Sequence, residues 1–245
     1  MSDFDRNYAA QRGFGGADRA VAIDAGLRAH MIRVYNYMAF GVALTGVIAF
    51  FTAQYAMANP DVAHALYASP LRYVILLAPL ALVMFLSFRI GYLQASTARL
   101  LFFVYAGMLG VMLSSIFLVF TGASITRVFF ISAASFGALS LWGYTTQRSL
   151  DAMGSFLIMG LFGLMIAMLV NFFLQSSGLD WAISVIGVLV FAGLTAWDTQ
   201  KIKDMYSPMD DGSIAGRKVV MGALTLYLDF INMFLFMLRL FGDRR

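Results

Sequence analysis

Residues 219–240 read VVMGALTLYLDFINMFLFMLRL, and this stretch decides the class of fold. Its side chains are apolar except around Asp229, which lies near the middle, and at Arg239, near the end. About twenty apolar residues are enough for an α-helix to cross the hydrocarbon core of a bilayer. The stretch therefore predicts a membrane-spanning helix that carries a carboxyl group at membrane depth.

Six further apolar blocks precede this one, and short turns separate most of them. The chain of 245 residues is 61% hydrophobic and only 12% charged, whereas a soluble domain needs far more polar surface. We therefore predict an all-α polytopic membrane protein, a seven-transmembrane-helix bundle whose sequential neighbours are antiparallel. The six earlier blocks cover residues 34–57, 71–88, 100–120, 128–145, 153–174 and 181–197.

The composition excludes several kinds of site. Cysteine is absent, so the chain has no disulfide, thiolate metal site or cysteine nucleophile. His30 and His64 both lie outside the apolar blocks, and we therefore expect neither a histidine-rich metal site nor a buried histidine base. The net charge of +4 comes from basic residues scattered between the spans, which indicates basic loops and no nucleic-acid partner.

Enzyme motifs are also missing. The chain has no metalloprotease His-Glu helix, no glycine-rich phosphate loop and no serine–histidine pair at membrane depth. Two span aspartates do permit an intramembrane aspartyl protease, but Asp229 follows YL and Asp198 follows AW, so the Gly-x-Gly-Asp element of that class is absent. We expect no enzymatic activity and no tightly bound cofactor.

The first 30 residues differ from the rest of the chain. They are polar and rich in glycine and alanine, and they lack the short apolar core of a cleavable signal peptide. We interpret residues 1–30 as a cytoplasmic tail, disordered or loosely helical, that precedes a seven-helix transmembrane domain of residues 31–245.

The distribution of lysine and arginine predicts the orientation, because cytoplasmic segments carry the excess of these residues. An N-terminus in the cytoplasm places most basic residues inside, although seven full crossings leave the basic C-terminal end outside. A re-entrant last segment would avoid this, but we favour seven crossings. The inner segments carry Arg6, Arg12, Arg19, Arg28, Arg33, Arg89, Arg99, Arg148, Lys201, Lys203, Arg217 and Lys218, and the outer segments carry Arg72, Arg127, Arg239, Arg244 and Arg245.

Charged residues within or at the edge of the apolar blocks are candidates for function. Asp229 lies mid-span, Asp198 closes the sixth block and Arg89 closes the second. Because the sixth and seventh spans are adjacent and antiparallel, the two aspartates could face each other. For Asp198 the alternative is an interfacial charge at a helix end, and for Arg89 it is a positive anchor at the inner end of a span.

An aspartate inside a membrane is costly unless it is paired, hydrated or protonated. Two carboxylates a few ångströms apart do not readily both ionise, so they share a proton and titrate as a pair. Such a pair offers oxygen ligands to a hard cation. Asn232 and Thr225 lie one turn after and one turn before Asp229 on the same helical face, and they could support the pair.

At these residues the chain resembles the Bax inhibitor-1 family, also called the transmembrane Bax inhibitor motif family. The most specific segments are WDTQKI at 197–202 and LYLDFIN at 226–232. SLWGYTT at 140–146, followed by MGSFL at 153–157, is similarly characteristic. The resemblance covers nearly everything after the N-terminal tail.

The resemblance implies a seven-helix fold with a central last helix and a pH-sensitive calcium leak. It assigns the paired carboxylates, which are ion-binding and pH-sensing, to Asp198 and Asp229, and by position it assigns the gating arginine to Arg89. The second span, residues 71–88, has no acidic residue, so if relatives use a carboxylate there, this chain lacks it. The chain looks like a bacterial member, and bacterial relatives are associated with modulating membrane proteases.

Our hypothesis is a proton-gated calcium leak channel in a bacterial inner membrane, with its N-terminus in the cytoplasm. Asp198 and Asp229 share a proton and bind the calcium ion, while Arg89 stabilises the closed form. The rival hypothesis is a regulator of a membrane-bound protease. Its contacts would be the tail and the polar loop expected at residues 201–218.

Overall fold

The computed structural model describes the backbone of residues 3–245 and the side chains of residues 23–245. Within those residues the chain is helical, without strands, and seven long helices dominate it. We label them α1 to α7. They are α1 Asp3–Ala58, α2 Leu71–Arg89, α3 Ala95–Leu113, α4 Gly122–Thr145, α5 Asp151–Leu174, α6 Ser177–Asp204 and α7 Gly212–Phe241.

Each long helix contains a segment that is long and apolar enough to cross a membrane, which confirms the predicted seven-span membrane bundle. In the part of the chain whose side chains are described, the first such segment, Ile23–Ala58, includes residues that precede the predicted block at 34–57. Short helical pieces make the connections on both faces. They are Pro60–Ala63 and His64–Ala68 before α2, Ile90–Tyr92 before α3, and Ile116–Val119 before α4.

Helix α7 lies at the centre of the bundle, as the family resemblance implies. It packs against α1, α3, α4 and α6. In its apolar segment 72% of the residues are buried, compared with 6% in the apolar segment of α5. A buried hydrogen bond of 2.6 Å joins Tyr227 Oη on α7 to Thr45 Oγ1 on α1. The same Thr45 hydroxyl is 2.8 Å from the carbonyl oxygen of Ala106 on α3, so one polar contact ties three helices together.

Helix α7 continues without a break for 30 residues. At 1.5 Å per residue its length is about 45 Å, which exceeds the hydrocarbon thickness of a bilayer. A re-entrant turn would need an interruption inside this segment. The continuous helix therefore favours the seven-crossing alternative.

The polar loop expected at residues 201–218 is much shorter than predicted, because the helices continue beyond the apolar blocks. Helix α6 runs to Asp204, and its last turn carries Lys201, which complements the negative end of the helix dipole. Helix α7 begins at Gly212, where the Asp211 side chain accepts a hydrogen bond from the Ile214 backbone at 2.7 Å. Only residues 205–211 connect the two helices.

The predicted boundary between a tail and a membrane domain, at residues 30 and 31, falls inside α1. No turn marks it, because the helix runs through both residues. The side chains of residues 1–22 lie outside the described residues, so the division into tail and domain stays a prediction.

Two of the glycines in the family-like segments allow close contacts with α6. A Cβ atom at Gly143 would run into the backbone of Ala196, and one at Gly154 would run into the ring of Trp197. In contrast, a Cβ at Gly137 or Gly163 would meet no atom within 4 Å. Small residues therefore bring α4 and α5 onto α6 at specific points and leave open space elsewhere.

Candidate functional site

Asp198 on α6 and Asp229 on α7 are brought together in the interior of the bundle. Their relative exposures are 8% and 5%, and the two side chains line the same cavity and interact with each other. The helices α6 and α7 are antiparallel neighbours with the most extensive packing of any helix pair in the described residues. Two candidates from separate sequence segments therefore form one site.

This contact determines how much charge the site can carry. A hydrogen bond between two carboxyl groups requires that one of them holds a proton, because an ionised carboxylate only accepts. Oδ2 of Asp229 has no hydrogen-bond partner among the described residues. Two unprotonated carboxylates in contact would repel each other in a poorly solvated place, so a pair that shares a proton is the favourable state.

The aspartate pair borders a cavity of about 480 Å³ that is lined by residues of α5, α6 and α7. The supporting candidates Thr225 and Asn232 line the same cavity. The Asn232 amide nitrogen donates to the Leu228 carbonyl oxygen at 2.8 Å, which leaves the amide oxygen as an acceptor. The Thr225 hydroxyl similarly donates to its own helix, at 3.1 Å from the Met221 carbonyl oxygen. Oxygen acceptors therefore surround the pair on the α7 side.

Side-chain oxygens of this kind suit a hard cation such as calcium. No group of three or more histidine or acidic side chains gathers among residues 23–245, so the two aspartates are the charged ligands that the site offers. The remaining ligands of a cation would be neutral oxygens and water. This is a low-charge site, in keeping with weak or transient binding.

Arg89 is not brought to this site, contrary to the expected gating contact. It is exposed at the end of α2 and takes part in no ion pair among the described residues. It does not line the aspartate cavity. Helix α2 packs mainly on α3 at the edge of the bundle. In this conformation no clamp between Arg89 and a carboxylate exists.

The arginine that does line the cavity is Arg239, which we assigned from sequence only to an outer segment. Its guanidinium lies 4.0 Å from Asp180 Oδ1 and 5.7 Å from the ring centroid of Phe236. The sequence held a signal for it: residues seven apart on a helix share a face, and Thr225, Asn232 and Arg239 follow that spacing.

The side chains around Asp198 fix this part of α6 to its neighbours. Trp197 Nε1 donates to Asp151 Oδ1 at 3.3 Å. The buried hydroxyl of Thr199 is 2.9 Å from Ser140 Oγ on α4. Gln200 Oε1 accepts from the Leu150 backbone at 2.8 Å, just before α5. The segment WDTQKI therefore anchors α6 to α4 and α5, and this anchoring turns Asp198 toward α7.

His30 contradicts the expectation that the chain has no buried histidine. It is only 6% exposed, and its Nε2 has no hydrogen-bond partner among the described residues. Its ring centroid lies 5.7 Å from that of Tyr206, in the connection between α6 and α7. The hydropathy blocks missed it because α1 is already packed against the bundle before its apolar block begins.

Residues 27–245 match a family model described as "Inhibitor of apoptosis-promoting Bax1". The chain is 46% identical over 235 residues to the inner membrane protein YbhL of Escherichia coli, which covers 95% of this chain and 99% of that relative. It is 48% identical over 222 residues to an uncharacterized protein of Rickettsia prowazekii, with coverage of 91% and 92%. A third relative, from Caulobacter vibrioides, is 41% identical over 257 residues, with coverage of 100% of both chains.

Proposed function

The chain belongs to the Bax inhibitor-1 family, and from that premise we propose that this integral membrane protein is a pH-sensitive calcium leak channel. The observation that carries the proposal is that Asp198 and Asp229 are both buried and line the same cavity. A buried acidic pair is costly in a membrane protein, and ion or proton pathways are where such groups occur.

The mechanism follows from competition between calcium and a proton for the same oxygens. With the shared proton in place the carboxyl groups hold each other and join α6 to α7. A calcium ion that enters the cavity replaces the proton, and the two carboxylates then bind it together with neutral oxygens such as those of Asn232 and Thr225. Because a carboxyl group must lose its proton to ligate well, a lower pH weakens calcium binding at the pair.

Several coarser expectations belong to the same proposal. We place the protein in a bacterial inner membrane with its N-terminus in the cytoplasm, where the basic residues of the inner segments would lie. Calcium is the transported ion, protons compete with it, and no tightly bound cofactor or catalytic step is involved. The rival role as regulator of a membrane-bound protease draws on the tail and on the α6–α7 connection, and no contact within residues 23–245 favours it.

The proposal is tested by calcium efflux from proteoliposomes loaded with a calcium-sensitive dye, measured across a range of pH. We expect wild-type protein to leak calcium in a pH-dependent way, and Asp198→Asn and Asp229→Asn each to abolish the pH dependence. Asn has nearly the same volume as Asp but cannot ionise, so the change isolates the charge.

Asp61→Asn is the matched control, because Asp61 is exposed in the connection between α1 and α2 and does not line the cavity. This variant should keep the wild-type rate and pH response. Unchanged efflux in both Asp198→Asn and Asp229→Asn would refute the proposal.

A further inference from the structure

A groove runs along the outside of the bundle between α1 and α4. Helix α1 packs on α3 and α7, while α4 packs on α6 and α7. Between them lie three successive cavities of about 640, 320 and 290 Å³. The first and second share Tyr35 and Phe136, and the second and third share Val42 and Phe129, so the cavities follow one another along the groove.

The groove has the length of a membrane. Along α1 it extends from Arg28 to Phe50, which at 1.5 Å per residue is about 33 Å. The hydrocarbon core of a bilayer is about 30 Å thick. Phe230 and Phe234 of α7 form its floor in the deeper parts. A groove of this length and direction accepts acyl chains that run parallel to the helices.

The groove is open to the surroundings at its widest part. Ile32 and Leu141, on opposite walls of the first cavity, are 48% and 64% exposed. The walls approach each other at one polar contact, where Tyr35 Oη and Ser140 Oγ are 2.5 Å apart. Since these helices span a membrane, the exposed apolar walls face lipid.

Positive charge is concentrated at the end of the groove that holds the first cavity. Arg28 lines this cavity and is exposed. Lys203 is next to it, with Nζ 3.0 Å from the carbonyl oxygen of Tyr144, another residue of the lining. No carboxylate lines the cavity, and Asp24, one turn before Arg28 on α1, forms no ion pair among the described residues. This end is therefore complementary to an anionic group.

From this combination we propose that the groove binds an anionic phospholipid. One of its acyl chains lies between α1 and α4 in the half of the groove nearest Arg28, and its phosphate is held by Arg28 with Lys203 nearby. The bound chain fills the gap between the two helices and so supports the Tyr35–Ser140 contact. The same Ser140 Oγ is also hydrogen-bonded, at 2.9 Å, to Oγ1 of Thr199, the residue after Asp198. Through these two hydrogen bonds, the bound lipid supports the part of α6 that carries Asp198.

Native mass spectrometry of the detergent-purified protein tests this proposal. The protein is titrated with phosphatidylglycerol or with phosphatidylcholine of the same acyl chains. We expect wild-type protein to retain phosphatidylglycerol preferentially, and Arg28→Gln to bind it about fivefold more weakly, the factor expected for one basic residue near an anionic surface. Arg148→Gln, a change of an exposed arginine after α4, is the matched control and should bind like wild type.

A second pair of variants tests the apolar part of the site. Gly137 lines the first cavity, and a Cβ there meets no atom within 4 Å, so Gly137→Leu fills the groove without a clash at its base. We expect this variant to lose the lipid adduct. Gly163→Leu adds the same side chain at an equally open position on α5 and should keep it.

Three outcomes would overturn the proposal. The first is equal retention of both lipids by wild-type protein and by Arg28→Gln. The second is an undiminished adduct in Gly137→Leu. The third is conversion of a dimer to a monomer by Gly137→Leu without loss of lipid, which would make the groove an interface between two copies of the chain. Arg28→Gln changes only an exposed side chain, so the test stands even if Gly137→Leu fails to fold.

Discussion

At the scale of single residues, the charges around the aspartate pair decide the chemistry. Asp198 and Asp229 contact each other, and the basic residue on their cavity is Arg239. Asp229 and Arg239 are ten residues apart on one helix, or about 15 Å along its axis. On the proposed calcium path, an ion that enters the cavity from the Arg239 end would pass this positive charge before it reaches the carboxylates.

Arg239→Gln is expected to increase calcium efflux from proteoliposomes at low ionic strength, by about tenfold, because it removes a repulsive charge from a narrow path. The gain should shrink as salt is added, since salt screens charges in contact with solvent. Arg89→Gln is the comparison, because Arg89 is exposed and does not line the cavity. If Arg89→Gln alters efflux and Arg239→Gln does not, the assignment of the cavity arginine is wrong.

Calcium binding should also release protons at the pair, because the ion replaces the proton shared by Asp198 and Asp229. We expect about one proton to leave per calcium ion bound, from the single proton that the pair shares. Isothermal titration calorimetry in two buffers of different ionisation enthalpy measures this number. Heats that do not depend on the buffer would contradict a shared proton, and the binding affinity should fall as the pH is lowered.

The sequence predicted the site residues unequally. Asp229 is identified by membrane physics alone, because a charged residue in the middle of an apolar span is energetically costly unless it has a function. Asp198 lies at the edge of its block, and only the family resemblance singled it out. Arg89 was chosen by its position in the second span. That position does not tell which other helices α2 packs against. The arginine that lines the cavity is Arg239, which was assigned from the sequence only to an outer segment.

At the scale of helices, the contact between α4 and α6 depends on a missing side chain. A Cβ at Gly143 would overlap the backbone of Ala196, and backbone cannot move aside as the end of a flexible side chain can. The hydrogen bond between Ser140 and Thr199 lies one turn away and needs the same close approach. This contact therefore holds the part of α6 that bears Asp198.

Gly143→Ala should destabilise the protein by about 1–3 kcal/mol, the usual cost of overpacking a tight contact. The measurement is the midpoint of thermal unfolding in detergent. Gly163→Ala is the matched control, because its Cβ meets no atom within 4 Å and alanine favours the helix slightly over glycine. An unchanged midpoint for Gly143→Ala would show that α4 and α6 are not held this closely.

Helix boundaries were predicted less well than the existence of the helices. Hydropathy detects the apolar part of a span, whereas a helix continues as long as its backbone is hydrogen-bonded and its ends are capped. Helix α6 therefore extends to Asp204, past Lys201, and α7 begins at Gly212, after the Asp211 cap. The α6–α7 connection could not be sized from apolar blocks alone.

At the scale of the whole molecule, six helices surround or flank a central α7. The number of spans follows from hydropathy, but the central place of α7 came from the family resemblance, since composition does not say which helices pack together. The groove between α1 and α4 could not be predicted either, because it arises where two helices pack on others and not on each other.

The orientation of the bundle can be tested with single cysteines, because the chain has none of its own. Met209→Cys lies in the exposed connection between α6 and α7, and His64→Cys is exposed on the other face, between α1 and α2. In intact spheroplasts we expect an impermeant maleimide to label position 64 at once and position 209 only after permeabilisation. The reverse pattern would place the N-terminus outside.

The central claim is that Asp198 and Asp229 act as one calcium-binding unit. A double-mutant cycle on calcium affinity tests it most directly, with Asp198→Asn, Asp229→Asn and the double variant measured at one pH. Residues that act as a unit give strongly non-additive losses. We predict that each single variant loses nearly as much affinity as the double variant. Losses that add independently, or a single variant that binds calcium as well as wild type, would contradict the claim.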